Sequence, residues 1–400
     1  MPTRPCWVEI STDSLESNFH LLQTLAAPHA ELLAIVKADA YGHSLALCAP
    51  SAVRAGARWL GVTSVEEGVA ARALCPDAEI LVIGGVFPGQ GEAVVRQRLT
   101  TVIWEHWQLD ELEAAARAVR AKAASVPVHL EIDTGMSRQG VDPNTQTDST
   151  FASLLERFST GSPLRLDGVM THLFAADESD GVVTEGQLVR LDEALTKIAA
   201  TGLSGELKPT WLNVGNSAAL LSKKPSAIAE IAAKRGMKAM LRPGLALYGL
   251  APRFEPDEPA SVAEARKSLQ PVLSWKTRVV SVRSVAAGAV VGYNGTFVAT
   301  EPMRLALVAA GYGDGLDRKL GNRFSLLVHG QRAPIVGRIS MDQTVLDATE
   351  IPDVAPGDEV VIIGKQSGDT ITAFDHADTA ETIPWEVFTR IAARVRRVAL

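Results

Sequence analysis

Residues 32–43 read LLAIVKADAYGH. The first five are apolar without interruption, which is how a parallel strand buried on both faces reads. Lys37 follows at once, and then Ala-Asp-Ala-Tyr-Gly-His43. Similar short apolar runs recur at 59–62, 79–83, 101–103, 128–132, 166–170, 211–214 and 238–241. Helical patterns lie between them. One starts near residue 13, where Asp13 and Glu16 form a candidate capping pair and Leu15, Phe19 and Leu22 share a face; another covers 187–198, with Leu188, Leu191 and Leu195. About eight β-α repeats in the first 250 residues predict an α/β fold, an N-terminal TIM-like (β/α)8 barrel. An open doubly wound sheet is the alternative.

The pattern changes beyond residue 250. Residues 251–268 are rich in Pro, Glu, Ala and Arg and read as a linker. Then come short β-branched runs at 272–285, 289–291, 304–308, 325–328, 333–336, 344–347 and 359–363, with Gly, Asn, Asp or Pro at the breaks. They predict a mainly antiparallel β domain. Residues 384–395 read as a closing helix. The expected division is a barrel over 1–250, of which 1–11 could join the β domain, a linker over 251–268 and a β domain over 269–400.

Composition narrows the functional classes. A net charge of -7 argues against a nucleic-acid partner, because phosphate contacts need a basic surface. Hydrophobic residues at 46% and charged residues at 21% suit a soluble globular chain. Cys6, Cys48 and Cys75 form no CxxC pair, and so sparse and odd a set suits a reducing compartment. The start, MPTRPCW leading into Val-Glu-Ile, lacks the apolar core of a signal peptide. Nowhere do about 18 apolar residues run together. A cytoplasmic protein without a membrane partner is expected, and no metal site is read.

Catalytic groups of such barrels sit at the C-terminal ends of the strands, and the loops after strands seven and eight commonly bind phosphate. Lys37 ends the first run. A lysine at a strand end is usually a solvated charge, but here two further features converge. After the seventh run comes Asn213-Val-Gly-Asn-Ser-Ala-Ala, with Ser217 at a helix start, and after the eighth comes Arg242-Pro-Gly-Leu. A helix start, a hydroxyl and glycine amides can receive a phosphate dianion. A lysine able to form a Schiff base, facing a phosphate cradle across a barrel mouth, suggests pyridoxal 5′-phosphate (PLP).

At this point the sequence resembles the alanine racemases. Residues 34–43, AIVKADAYGH, look like the family's PLP-lysine signature. Asp133-Thr-Gly-Met-Ser-Arg138, Thr171-His172, Asn216-Ser217-Ala218, Arg242-Pro-Gly-Leu-Ala-Leu-Tyr-Gly249, Gly292-Tyr293 with Gly311-Tyr-Gly-Asp-Gly315, and Val336-Gly-Arg-Ile-Ser-Met-Asp342 follow in the family's order. The resemblance runs from Val8 nearly to the end. It implies racemisation of alanine, D-alanine for peptidoglycan, and a homodimer with shared sites.

The resemblance also implies roles. Lys37 would hold PLP and then act as one base, and Tyr293 of the β domain would act as the other, since racemisation needs proton exchange on two faces. A tyrosine is a poor base at neutral pH unless positive charge favours its phenolate, and His172 and Arg242 are candidates for that field. Arg242 would face the PLP pyridine nitrogen; a guanidinium is effectively never deprotonated, so it leaves that nitrogen without a proton. Tyr41, Ser217, Gly244 and Leu245 would hold the phosphate, and Asn216 and Trp385 would also touch the cofactor. Arg138 and the Met341 amide would bind the substrate carboxylate. Asp177, Tyr312, Arg318, Arg338 and Ile383 would line the entrance.

Three stretches depart from the family. Glu131 stands where many members carry a carbamylated lysine, and its carboxylate could orient Arg138 directly. Trp385 replaces the usual tyrosine, and an indole donates one hydrogen bond and accepts none. Residues 222–240 read as a surface insertion. Two other classes are weaker fits: Arg242 argues against a barrel-type PLP decarboxylase, whose acidic residue faces the pyridine nitrogen, and the appended β domain argues against a lone-barrel PLP-binding protein.

Overall fold

The structure, a computed structural model, describes residues 4–26, 28–143, 148–203, 208–222 and 224–400. The chain forms two compact units, one of Asp13–Ala40 and Cys48–Gln270, the other of Met1–Thr12, Tyr41–Leu47 and Pro271–Leu400. Residues 1–3 of the expected N-terminal segment lie outside the described residues. The first strand, β1 (Cys6–Ile10), belongs to the second unit.

The first unit is a closed parallel barrel of β2 (Ala30–Ile35), β3 (Trp59–Val62), β4 (Glu79–Val82), β5 (Thr100–Ile103), β6 (Val126–Glu131), β7 (Leu164–Met170), β8 (Trp211–Asn213) and β9 (Lys238–Leu241). Closure comes from β9 pairing back on β2, with Ala30 opposite Ala239 and Leu32 opposite Leu241. Every residue of β3 and β5 is buried, which is why these strands read as apolar runs and not as alternations. The outer helices cover the barrel with apolar stripes such as Leu188, Leu191 and Leu195 of the helix Val182–Ala200. Glu16 does not serve Asp13 as a capping partner; its carboxylate accepts from Ser51 and Arg54 instead.

Two expectations for this unit are corrected. Residues 222–240 are no insertion: the helix Pro225–Lys234 connects β8 to β9 and packs on both, so it is one of the barrel's own crossover helices. Residues 251–268 are only partly a connector, since Ala260–Ser268 is a helix that buries Val262 and Ala265 and belongs to the barrel unit. Its composition is polar because only those two side chains turn inward.

The second unit is built on β10 (Leu273–Val285), a 13-residue strand that pairs antiparallel with β1 and β17 along its first part and with β13 along the rest. The other strands are β11 (Val290–Val291), β12 (Phe297–Val298), β13 (Met303–Val308), β14 (Ser325–Val328), β15 (Gln331–Pro334), β16 (Thr344–Asp347), β17 (Glu359–Gln366), β18 (Asp369–Ile371) and β19 (Arg396–Ala399). Only β1 with β19 is a parallel pair in this sheet. The expected closing helix is shorter, Pro384–Thr389, and the helix Ala373–Ala380 precedes it. No helix among the described residues is long and apolar enough to cross a membrane.

Candidate active site

Lys37 is not the last residue of a strand. β2 ends at Ile35, and Lys37 opens a left-handed turn in which Ala38, Asp39, Ala40 and Tyr41 have φ of 52°, 52°, 56° and 54°. Left-handed helical backbone costs L-residues roughly 1–2 kcal/mol each, so the surroundings must hold it. Ala40 N–H donates to Val36 O at 2.9 Å. The Glu67 carboxylate accepts from Ala38 N–H (2.7 Å) and from Thr63 N–H just beyond β3 (2.8 Å). Gly42, at φ +78°, ends the turn where a Cβ would overlap the Phe388 carbonyl.

The half-buried Lys37 amine finds its ammonium form disfavoured. Burial lowers its pKa most, then the charges of Arg138 and Arg242, with Glu67 opposing in part. Arg242, just past β9, is buried. Its Nη1 donates to Asn213 O (2.8 Å) and Oδ1 (2.6 Å), and its Nη2 to Thr171 O (2.8 Å) and His172 Nδ1 (3.2 Å). A guanidinium only donates, so His172 Nδ1 accepts and its Nε2 carries the ring hydrogen. Burial, then Arg242, Arg138 and Lys37, push the His172 pKa down to about 3.

The two loops expected to cradle phosphate are tied together. Asn216 caps the helix Ser217–Leu221, accepting from Ala219 N–H at 3.1 Å, and its Nδ2 donates to Leu173 O. Ser217 Oγ accepts from Gly244 N–H (3.0 Å) and Ala246 N–H (3.2 Å). The Gly244 amide, expected to face a phosphate, is therefore engaged by Ser217. A lysine whose ammonium is destabilised, an arginine fixed on four acceptors and a hydroxyl-anchored glycine turn together suit an aldehyde, a pyridine nitrogen and a phosphate.

In the strand unit, Tyr293 opens the turn Tyr293–Gly295 at the tip of the β11–β12 hairpin and is 66% exposed. Met341, Ile383 and Tyr312 are also exposed apolar side chains. Tyr312 N–H donates to Ser340 O and Gly313 N–H to Met341 O, an approach that only Gly311 permits, because a Cβ there would overlap both carbonyls. Buried Asp314 anchors this loop, accepting from Gly311 N–H, Arg4 and Arg394.

The family model described as alanine racemase, N-terminal domain, matches residues 10–252, and that described as alanine racemase, C-terminal domain, matches 272–399. The chain belongs to the alanine racemase family. The alanine racemase of Nostoc sp. is 37% identical over 395 residues, covering 98% of this chain and 95% of the relative. The crystal structure of alanine racemase from Streptomyces lavendulae superposes with a TM-score of 0.86 at 32% identity, covering 100% of this chain and 98% of that one. That of Bartonella henselae, with covalently bound pyridoxal phosphate, has a TM-score of 0.80 at 25% identity over 100% of both chains.

Of the residues expected from sequence, Lys37, Arg138, His172, Asp177, Asn216, Ser217, Arg242, Gly244 and Leu245 lie in the barrel unit, all on segments that follow its strands. Tyr41, Tyr293, Tyr312, Arg318, Arg338, Met341, Ile383 and Trp385 belong to the strand unit. His172 cannot supply positive charge to a tyrosine, because it is held neutral; of the two candidates only Arg242 is a cation. Buried Glu131 accepts from Gln139 Nε2 at 2.5 Å, and Arg138 reaches it only as a nearby charge. Burial raises the Glu131 pKa. Trp385 is half-buried in the helix Pro384–Thr389. The sequence reading missed Glu67, Asn213 and Asp314 as partners. Asn213 had a signal, a polar side chain closing a buried strand; Glu67 and Asp314 had none beyond their charge.

Proposed function

We propose that the Lys37 cluster binds PLP and, with Tyr293 supplied by a second copy of the chain, moves the Cα proton of alanine between its two faces. The chain is thereby a PLP-dependent isomerase that interconverts L- and D-alanine. The observation that carries this reading is the half-buried Lys37 amine beside Arg242 and Arg138, whose charges and whose burial lower its pKa. PLP held there would supply an electron sink that makes the Cα proton of alanine exchangeable.

Each residue then has a defined task. Lys37 Nζ takes up or returns the proton on one face, and Tyr293 Oη does so on the other. Arg242 donates toward the pyridine nitrogen and does not protonate it. Neutral His172 offers Nε2–H without adding charge. The exposed Arg138 guanidinium and the Met341 N–H suit a carboxylate. Tyr41, Asn216, Ser217, Gly244, Leu245 and Trp385 hold the phosphate end, while Asp177, Tyr312, Arg318, Arg338 and Ile383 line the way in. The exposed Tyr293, Met341, Tyr312 and Ile383 favour a homodimer, because such side chains call for a covering surface. The family favours supply of D-alanine for peptidoglycan in the cytoplasm.

Lys37→Ala tests the reading. It should abolish both alanine racemisation and the PLP adduct that borohydride fixes to the protein. An adduct recovered on another lysine would overturn the assignment. A chiral assay against a panel of L-amino acids checks alanine as the substrate.

A further inference from the structure

The helix Val182–Ala200 places two polar side chains, Thr184 and Gln187, on its buried face, and Gln187 stands where the apolar stripe calls for a leucine. Gln187 continues the face of Leu188, Leu191 and Leu195 and is fully buried. Its Nε2 donates to Thr134 Oγ1 (2.9 Å) and to His172 O (2.9 Å), and its Oε1 accepts from Phe174 N–H (3.1 Å). Thr134 Oγ1 lies 2.8 Å from Thr171 Oγ1, and Thr171 Oγ1 donates to Ile132 O at 2.8 Å. A hydroxyl has one hydrogen to give. Thr171 spends its own on Ile132, so Thr134 must donate to Thr171. The order Gln187, Thr134, Thr171, Ile132 is then fixed in one direction. One helical turn on, Arg190 Nε donates to Thr134 O at 2.5 Å. Both threonines are buried, and Thr171 O is also an acceptor for Arg242.

We infer that Gln187 is a positioning residue that clamps the loop after β6, which carries Arg138, to the loop after β7, which carries His172. All three of its bonds go to loops at the chemical end of the barrel and none goes to its own helix. A buried polar network with every member satisfied holds one arrangement, because each alternative leaves a donor or acceptor unpaired. The clamp thereby sets where the Arg138 guanidinium stands relative to the Arg242–His172 pair. Its effect on catalysis rests on the reading of Arg138 as the group that receives alanine's carboxylate.

The test uses the PLP-loaded enzyme, with Gln187→Met, which keeps the shape and removes the hydrogen bonds, and Thr134→Val, which removes the bonds of Thr134 to Gln187 and Thr171 but leaves those of Gln187 to His172 O and Phe174 N–H. Hydrogen exchange followed by peptide mass spectrometry reads the two loops separately. Gln187→Met should speed exchange about tenfold in both 133–138 and 172–174, the loss of buried bonds of this kind. Thr134→Val should do so in 133–138 alone. Alanine KM should rise roughly tenfold in Gln187→Met, with kcat within about threefold. Exchange that is unchanged, or that rises evenly over the whole barrel, would overturn the clamp. If Gln187→Met does not fold, loosening of 133–138 alone in Thr134→Val supports it, and no loosening there overturns it. If both loops loosen while KM holds, the clamp stands and the carboxylate reading of Arg138 fails; an unchanged KM in Arg138→Gln would show that independently.

Discussion

Arg242 commits both terminal nitrogens to four acceptors drawn from three residues, Asn213, Thr171 and His172. No other side chain offers so many donors in a rigid plane, so this position is specified by chemistry and by shape. Arg242→Glu should therefore act twice. It leaves buried acceptors without donors, at about 1–3 kcal/mol for each group, and it places an acid where a permanent cation stood. We expect slower alanine racemisation and a larger share of transamination, measured as pyruvate formed per racemisation event. An unchanged ratio with PLP still bound would show that Arg242 does not govern the ring nitrogen. Lys37 and Arg242 stood out as candidates because the lysine faces two phosphate-type loops and both residues sit in motifs that resemble the family's, not because either residue type is telling by itself. The neutrality of His172 was not, since it follows from the cations packed around it.

At the scale of elements, the apolar runs located the barrel strands to within a residue or two, because burial on both faces leaves room for few polar side chains, Glu131, Asp167 and Asn213 among them. The turn after β2 was invisible. Nothing in Lys-Ala-Asp-Ala-Tyr marks a left-handed conformation, which alanine and tyrosine disfavour; it exists because Glu67 and the i–4 bond to Val36 hold it. Glu67→Ala removes both carboxylate bonds, one of them to the first residue of the turn. Loss of two charge-assisted bonds should lower stability by about 2–4 kcal/mol and speed PLP release, checked by urea midpoint and by the rate at which a PLP trap strips the enzyme. Full retention of both would mean the turn needs no such tie.

For the whole molecule, the proposed sharing of sites between two copies makes a distinctive prediction. Mixing Lys37→Ala with Tyr293→Phe chains after mild dissociation should return about a quarter of wild-type activity, because about half the dimers are hybrids with one intact site of two. No recovery in confirmed hybrids would rule out a Tyr293 donated by the partner. A second prediction concerns acid. Burial holds His129 near 3 and His376 near 4, against an ordinary 6.5. The unfolded chain then binds protons first as pH falls below 6.5, so stability present at neutral pH is lost toward pH 5, by about 2 kcal/mol for each group. Glu131 and Asp167, whose protonation burial favours, pull the other way. His376→Gln keeps an N–H for Ile362 O and does not titrate, so its urea midpoint should fall less than wild type between pH 7 and pH 5. Parallel falls would refute the histidine contribution.

Periodicity, apolar runs and the order of the motifs were enough to determine a barrel followed by a strand domain, and to nominate the residues proposed to carry the chemistry. These are local properties, set by which faces are buried and by side-chain type. Only the tertiary structure decided that 260–268 is a helix of the barrel, that Gly244 is engaged by Ser217, that Glu131 pairs with Gln139, and that Gln187 joins two loops. Each of those depends on which groups meet in space, as a packed face or as a donor with its acceptor, and sequence spacing does not encode that distance.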